Sequence, residues 1–247
     1  MYDYTVIITS ALYTKLPGHF TTEQRIEHTI ETIKSVREKI PNCCIFLIDS
    51  SDKTLHQDQE KVNTIISLCD IFYDNSDDID VKNLHSLHLQ NKLPWQQIQS
   101  MMEAVTLISV FENMSKDMYL KSIVNNSKCV IKLSGRYTLT DRFDVNMLSI
   151  WTSYTFRTRY KAWIDSKLTN VDHYIPTRLW SFTPSLLDNV KQVYYNIVEY
   201  MNMMAENNQY VDLEHCMAMF VPKDLINEVS YIGVKGQVAL NGTVVEE

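Results

Sequence analysis

Residues 129–143 read CVIKLSGRYTLTDRF. The stretch begins as an apolar run of the kind that forms a buried strand. It then changes without transition to a polar set: Lys132, Ser134, Gly135, Arg136 and Tyr137. Ligands of an open parallel sheet bind at the carboxyl ends of its strands. The stretch therefore predicts a central strand of an α/β sheet with a binding site at its end.

Strand-like and helix-like segments alternate through the first half of the chain. Four short apolar runs are typical of buried strands: residues 4–9, 43–48, 70–73 and 130–133. Three amphipathic segments are typical of helices: residues 22–40, which follow a capping-box pattern at Thr21 and Gln24, then 58–68 and 95–112. This order predicts an α/β fold with a mainly parallel, Rossmann-like sheet and helices on both faces.

The second half of the chain is less regular. Residues 151–160 and 177–182 have the composition of strands, and residues 184–204 and 213–220 that of helices. The Asn-Gly pair at 241–242 predicts a terminal hairpin. Since no flexible linker marks a domain boundary, we expect a single domain over residues 1–247 with a mixed α+β C-terminal portion.

Composition restricts the class of partner. The chain has 247 residues, with 23 Lys and Arg against 30 Asp and Glu, which gives a net charge of −7. Nucleic-acid binding depends on neutralising phosphates, so we expect no nucleic-acid partner. The net charge does not exclude a local basic pocket for one phosphorylated ligand. Five cysteines without a CxxC pair suggest buried free thiols. We expect no membrane span and a cytoplasmic location.

Polar residues follow three of the predicted strands. They are Thr9 and Ser10 after the first strand, Asp49 after the second, and the set from Lys132 to Tyr137 after the fourth. Hydroxyls, a carboxylate and two cations suit a ligand with a ribose or base and a pyrophosphate. The sequence contains no G-x-G-x-x-G, no G-x-x-x-x-G-K-[ST] and no G-x-S-x-G. Those absences disfavour a dinucleotide enzyme, a P-loop NTPase and an α/β-hydrolase.

The residues K-L-S-G-R-Y at 132–137 resemble the K-[IL]-[ST]-G-R-Y signature of a group of bacterial and phage glycosyltransferase-like proteins with the GT-A fold. The context also resembles that group: Thr9-Ser10, Asp49, Asn91-Lys92 before a long helix, and Leu213-Glu214-His215 late in the chain. The resemblance implies transfer of a sugar from a UDP- or GDP-sugar donor to a glycan or related acceptor. It also implies a nucleotide-binding half over residues 1–140 and an acceptor-side half over 141–247.

The resemblance implies a role for each candidate residue. Thr9, Ser10 and Asp49 would hold the nucleoside, and Lys92, Lys132 and Arg136 the diphosphate. Ser134, Gly135 and Tyr137 complete the donor site. Glu214 would activate the acceptor hydroxyl together with His215, as a general base does.

Several alternatives stay open on sequence alone. Many GT-A enzymes hold a divalent metal on a D-x-D motif at a strand end, and the D-x-D of this chain is Asp78-Ile79-Asp80, inside an acidic loop. We expect Lys132 and Arg136 to neutralise the diphosphate without a metal, although Asp78 and Asp80 could supply one.

Each side chain also has a structural interpretation. Asp49 could cap the next segment, Lys132 could pair with a nearby carboxylate, and Glu214-His215 could be a helix start with a packed histidine. The alternative function is a non-catalytic nucleotide-sugar or glycan-binding protein on a degenerate GT-A fold.

Overall fold

A computed structural model of the chain describes residues 2–90, 93–148, 152–238 and 242–247. The helices are α1 (Thr22–Lys39), α2 (Gln59–Leu68), α3 (Ile79–Leu89), α4 (Trp95–Lys116), α5 (Met118–Asn126), α6 (Ser166–Thr169), α7 (Leu187–Glu206) and α8 (Leu213–Phe220). The strands are β1 (Tyr4–Ser10), β2 (Cys43–Asp49), β3 (Ile71–Asp74), β4 (Cys129–Ser134), β5 (Tyr137–Leu139), β6 (Tyr154–Arg157), β7 (Tyr160–Lys161), β8 (His173–Tyr174), β9 (Leu179–Phe182), β10 (Ile226–Val229), β11 (Val234–Gln237) and β12 (Val244–Glu246). Short 3-10 turns lie at Val145–Leu148, Pro184–Leu186 and Lys223–Leu225.

The main sheet has seven strands in the order β10-β6-β9-β4-β1-β2-β3. β3, β2, β1 and β4 run parallel, and β10 is parallel to β6. β9 is antiparallel to both of its neighbours, β4 and β6. The predicted α/β class with a mainly parallel sheet is confirmed.

The register of the central strands places the predicted site residues at one edge. Along β1, Thr9 is the partner of Ser134 on β4, and Ser10 is the partner of Asp49 on β2. Because parallel strands end on the same side of a sheet, the polar residues at their carboxyl ends form one continuous edge.

Helices cover both faces of this sheet, as the alternating segments predicted. One core cluster combines Ile7 and Val130 with apolar residues of α4 and α7. The other combines Val6, Ile8 and Ile131 with apolar residues of α1 and α2. Successive strand residues point to opposite faces, so each central strand contributes to both clusters.

Three helices were not predicted, namely α3, α5 and the four-residue α6. The stretch between β3 and α4 contains α3, and α5 follows α4 directly. The Asp78 carboxylate accepts hydrogen bonds from the backbone N–H groups of Asp80 and Val81, which caps the first turn of α3. Buried Val81 and Leu84 then pack α3 into the core. Tertiary packing rather than a strong amphipathic pattern stabilises this helix.

The second half departs from the predicted segments in detail. Of the stretch predicted as one strand over 151–160, the structure forms β6 and the short β7, which pairs with β8 in a separate sheet. The terminal hairpin is confirmed, since β11 and β12 are antiparallel, and β11 also pairs with β5. Asn241 of its predicted turn lies outside the described residues.

The cysteines agree with a further expectation. All five cysteines are free thiols, four of them buried, and Cys69 is half-buried. Within the described ranges, no helix combines the length and apolar character that crossing a bilayer requires. The assignment of the whole chain to one domain stays a prediction.

Candidate functional site

A cleft opens at the carboxyl ends of β1, β2 and β4 and has two lobes. The first lobe is lined by Thr9, Ser10, Ala11, Thr14, Leu16, Arg25, Thr29, Ser50, Gln99, Met102, Glu103, Thr106, Ser134, Gly135 and Arg136. The second lobe is lined by Trp95, Gln96, Gln99, Ser100, Glu103, Ser134, Arg136, Tyr137, Thr177, Arg178, Leu213, Glu214 and Val238. The lobes share four residues: Gln99, Glu103, Ser134 and Arg136.

The first lobe brings together most of the strand-end residues that the sequence singled out. Thr9, Ser10, Ser134, Gly135 and Arg136 all line it. The backbone N–H of Gly135 donates to the Thr9 carbonyl at 2.9 Å, which ties the turn after β4 to the end of β1. The hydroxyl of Thr29 on α1 donates to the Gly135 carbonyl at 3.2 Å. The turn that presents Arg136 is thus fixed by two neighbouring elements.

Gly135 is required at this turn because of the close approach of β1. A Cβ atom added there would lie 2.9 Å from the Thr9 carbonyl oxygen and 3.4 Å from the Thr29 hydroxyl. We expect Gly135→Ala to cost about 1–3 kcal/mol, as overpacking of a tight site does, and to lower Tm by several degrees. Differential scanning calorimetry measures this, with Thr138→Ala in the adjacent strand as the control. An unchanged Tm in Gly135→Ala would contradict the packing described here.

Two arginines give the first lobe its charge. Arg25 lies on α1, directly after Gln24 of the capping box that Thr21 and Gln24 form, and its side chain is buried. Arg136 is half-buried, and its Nε finds no hydrogen-bond partner in the described part of the chain. Among the described residues, no carboxylate lies within 4 Å of either guanidinium.

Burial, with a smaller contribution from the positive charge of Arg136, lowers the pKa of Arg25 to about 10. Arg25 is still protonated at neutral pH. Burying a cation without a counter-charge is unfavourable. Two such guanidinium groups beside a cluster of hydroxyls are therefore suited to an anionic ligand with several oxygen acceptors.

Lys132 does not line the cleft, in contrast to the role predicted for it. Its side chain is 0% exposed and lies under α4, where the ammonium forms an ion pair with the Glu103 carboxylate. It also donates to the Ser134 hydroxyl at 2.8 Å and to the Thr177 carbonyl at 2.9 Å. All three N–H donors are thus used inside the protein. The salt bridge considered as the alternative is the arrangement observed.

Asp49 is also placed beside the cleft rather than in its lining. Its carboxylate accepts from the backbone N–H of Leu12 at 3.0 Å and of Ser51 at 3.3 Å. Burial raises the pKa of Asp49 to about 6, against the lowering effect of these hydrogen bonds. Asp49 therefore fixes the loop after β1 through its carboxylate. The next residue, Ser50, lines the first lobe. Lys92, predicted to bind the diphosphate, lies outside the described residues.

Glu214 lines the second lobe, in the first turn of α8. It is half-buried, and its Oε1 accepts a hydrogen bond from the Thr177 hydroxyl at 3.2 Å. Burial, then the negative charges of Asp212 and Glu103, raise the pKa of Glu214 to about 7, while Arg178 acts in the opposite direction. A carboxyl group with such a pKa can exchange a proton with a bound ligand near neutral pH.

Tyr137 and Arg178 also line the second lobe. Arg178 donates to the Tyr137 hydroxyl at 3.2 Å and forms an ion pair with Glu247 at 2.8 Å. Burial acts to lower the pKa of Arg178, but Glu247, Tyr137 and Glu214 together outweigh it, so the pKa is raised. This arginine thus has a carboxylate partner of its own, unlike Arg25 and Arg136.

His215 points away from the cleft, although the sequence paired it with Glu214. The ring is fully buried between Trp163 and Tyr174, with centroid separations of 5.3 and 5.4 Å. Its Nδ1 lies 2.6 Å from Asp212 Oδ1, the carboxylate that also caps α8. His215 lines neither lobe, whereas Glu214 lines the second. The packed-histidine alternative describes its position.

The D-x-D motif lies apart from both lobes. Asp78 caps α3, and its second oxygen accepts from the Ser109 hydroxyl at 3.0 Å, while Asp80 is exposed. Neither aspartate lines the cleft. Within the ranges described, no cluster of three or more His, Cys, Asp or Glu side chains is arranged to hold a metal ion.

Sequence reasoning missed the contributions of α1 and α4. Four polar residues of α4 recur at intervals of three or four: Gln96, Gln99, Glu103 and Thr106. That spacing puts them on one face of the helix, and all four line one lobe or both. Arg25 and Thr29 on α1 are four residues apart and share a face in the same way. For α4, a polar stripe on a largely apolar helix was the signal that could have identified these residues.

The sequence matches no protein-family model and no curated protein. Among solved structures, the chain is similar to the mannosyltransferase Ktr4p from S. cerevisiae, with a TM-score of 0.53 and 11% identity, over 94% of this chain and 70% of that one. It is also similar to mouse xyloside xylosyltransferase 1, with a TM-score of 0.50 and 8% identity, over 92% of this chain and 84% of that one. At such identities the likeness concerns the fold alone. The chain shares its fold with glycosyltransferase structures.

Proposed function

We propose that the protein is a glycosyltransferase of the GT-A type, which moves a sugar from a nucleoside-diphosphate donor to a glycan or related acceptor. The observation that supports it most is the pair Arg25 and Arg136, which lack carboxylate partners among the described residues and face a hydroxyl-lined lobe at the carboxyl ends of parallel strands. A diphosphate supplies the charge and the acceptor oxygens that these groups lack.

The donor occupies the first lobe. Arg25 and Arg136 bind the diphosphate oxygens, and Thr9, Ser10 and Ser50 offer hydroxyls to the sugar and ribose. UDP- and GDP-sugars are the donor classes that this site would take. The fixed turn at Gly135 keeps Arg136 in place before the donor arrives, which lowers the cost of ordering on binding.

The acceptor occupies the second lobe. Glu214, in its ionised form, takes the proton of the acceptor hydroxyl as the new glycosidic bond forms. Trp95 and Tyr137 line the same lobe and give it apolar surface for a sugar ring. In this proposal the donor and the acceptor lie on either side of the four shared residues.

A nucleotide screen tests the donor site. At about ten times its Kd, a bound nucleoside diphosphate stabilises the native state by about 1.4 kcal/mol, which raises Tm by about 3–6 °C. We expect UDP or GDP to do this in the wild-type protein, with or without Mn²⁺. If no nucleoside diphosphate shifts the transition in either condition, the proposed donor site is wrong.

The variant Arg25→Met separates ligand binding from stability in this test. Lowering the Arg25 pKa from 12.5 to about 10 corresponds to roughly 3 kcal/mol against the charged form. If the substitution by methionine recovers about half of this free-energy cost, the Tm of the ligand-free variant should be about 3–6 °C higher than that of wild type. It should nevertheless lose most of the nucleotide-induced shift, because charge-assisted hydrogen bonds contribute about 1.5–3 kcal/mol each.

The matched control is Arg142→Met. Arg142 is exposed, stacks on Tyr231 at 3.5 Å and lies outside both lobes. Its nucleotide shift should equal that of wild type. If Arg25→Met and Arg136→Ala both showed the same nucleotide-induced rise in Tm as wild type, these arginines would not bind the ligand. Nucleotide binding without release of nucleoside diphosphate from any UDP- or GDP-sugar, with any acceptor, would favour the alternative of a non-catalytic nucleotide-sugar or glycan-binding protein.

A further inference from the structure

Glu103 lies where the two lobes of the cleft meet. It projects from α4 and is shared by both lobes, together with Gln99, Ser134 and Arg136. If the first lobe holds the diphosphate and the second holds the acceptor, the anomeric carbon that joins one to the other must lie at this junction. Among the four shared residues, Glu103 is the carboxylate.

Only one oxygen of the Glu103 carboxylate is paired among the described residues. Its Oε1 pairs with the Lys132 ammonium, and the described residues give its Oε2 no hydrogen-bond partner. The Lys132 side chain is 0% exposed, whereas that of Glu103 is 26% exposed. The lysine itself is anchored by Ser134 and Thr177, so it fixes the carboxylate while remaining out of reach of any ligand.

We propose that Glu103 is a catalytic residue of the transfer reaction, a carboxylate that faces the anomeric carbon, and that Lys132 is its positioning residue. This inference rests on the proposed function. A sugar-transfer transition state develops positive charge at the anomeric carbon and ring oxygen, and a fixed carboxylate stabilises that charge.

The step balances without a further reactant. The bond between the anomeric carbon and the β-phosphate oxygen breaks, and its electron pair leaves on the diphosphate beside Arg25 and Arg136. The acceptor oxygen bonds to the anomeric carbon, and its proton passes to the ionised Glu214 and then to solvent. Glu103 forms no covalent bond and takes up no proton in this step.

Steady-state kinetics of Glu103→Gln test the inference. Glutamine keeps the shape and can still accept a hydrogen bond from Lys132, but it lacks the negative charge. We expect kcat to fall about 100- to 1,000-fold. Donor KM and the UDP- or GDP-induced Tm shift should stay within about threefold of wild type. In Lys132→Met, a positioning role predicts that kcat falls about tenfold while donor KM is unchanged, whereas a merely structural role would leave kcat of the folded fraction unchanged.

The matched control is Glu112→Gln on the same helix, where the carboxylate pairs with exposed Lys116 outside both lobes. Its kcat should stay within about twofold of wild type. If Glu103→Gln does not fold, the double variant Lys132→Met with Glu103→Gln, which leaves no charge at either position, is measured in its place. The same limits on kcat and donor KM then apply. A kcat within about threefold of wild type overturns the role of Glu103 and leaves the proposed function intact. A wild-type protein that binds nucleotide but transfers no sugar overturns both.

Discussion

Replacing Glu214 by glutamine is expected to lower sugar transfer by a factor of about 100 to 10,000, the range that general acid–base catalysis contributes. Glu214 lines the second lobe, and its Oε1 accepts a hydrogen bond from Thr177. Glutamine preserves the size and the acceptor atom but cannot take a proton from the acceptor hydroxyl. The measurement is kcat/KM for transfer from the donor that the nucleotide screen identifies.

The pH dependence of wild-type activity provides a second readout of the same residue. Burial and the charges of Asp212 and Glu103 raise the pKa of Glu214 to about 7. A general base works only when it is ionised, so kcat/KM should rise about tenfold per pH unit below about pH 7 and level off above it. In Glu214→Gln this ascending limb should be absent.

Stability should change in the opposite direction to activity. Because the native state raises the pKa of Glu214 above that of the unfolded chain, it holds the proton more tightly, so stability decreases as pH rises from about 4.5 to 7. Glu214→Gln avoids this loss and should be about 1–3 kcal/mol more stable than wild type at pH 8. Thermal unfolding at pH 4.5 and pH 8 measures the difference, and lost activity in a more stable protein cannot come from misfolding.

Glu199→Gln, on the exposed face of α7, is the control for these measurements. It should change neither the transfer rate nor the pH profile. A Glu214→Gln variant that retains at least a third of wild-type kcat/KM, with its ascending limb intact, would show that another group accepts the proton.

The second large effect concerns the buried ion pair under α4. Glu103→Leu leaves the Lys132 ammonium fully buried with only the hydroxyl of Ser134 and the carbonyl of Thr177 as partners. Removing one partner of a buried pair costs about 3–5 kcal/mol, so Tm should fall by about 6–20 °C. Lys132→Met should cost less, about 1–3 kcal/mol, because the Glu103 side chain is 26% exposed and can be hydrated.

The double variant completes the cycle. With Lys132→Met and Glu103→Leu together, no buried charge remains unpaired, and most of the lost stability should return. Denaturant unfolding of all four proteins gives the coupling free energy. Lys116→Met, which removes the exposed partner of Glu112 on the same helix, should change stability by about 0.5 kcal/mol or less. Strictly additive effects of the two substitutions would show that the pair is not energetically coupled.

The strands and the edge they form were predictable from the sequence, because local features determine them. The apolar runs of β1, β2 and β4 have lengths and compositions suited to buried strands, and alternation with amphipathic segments implies parallel pairing. Polar residues at strand ends then had to share one edge, which is why Thr9, Ser10 and Arg136 were found. No helix was predicted for α3, because its amphipathic pattern is weak and the helix depends on packing of Val81 and Leu84 into the core.

The stretch CVIKLSGRY by itself determined a central strand with a glycine turn and an arginine at its end. Only the tertiary structure decided what its two cations do. Strand residues alternate between faces, so Lys132 projects, between Ile7 of β1 and Trp180 of β9, into the core under α4 and there requires the carboxylate of Glu103. Arg136 lies beyond the strand, where Arg25 of α1, remote in sequence, reaches the same lobe. The partner of a buried charged side chain depends on which helix packs over that face of the sheet. No local pattern in the sequence specifies this packing.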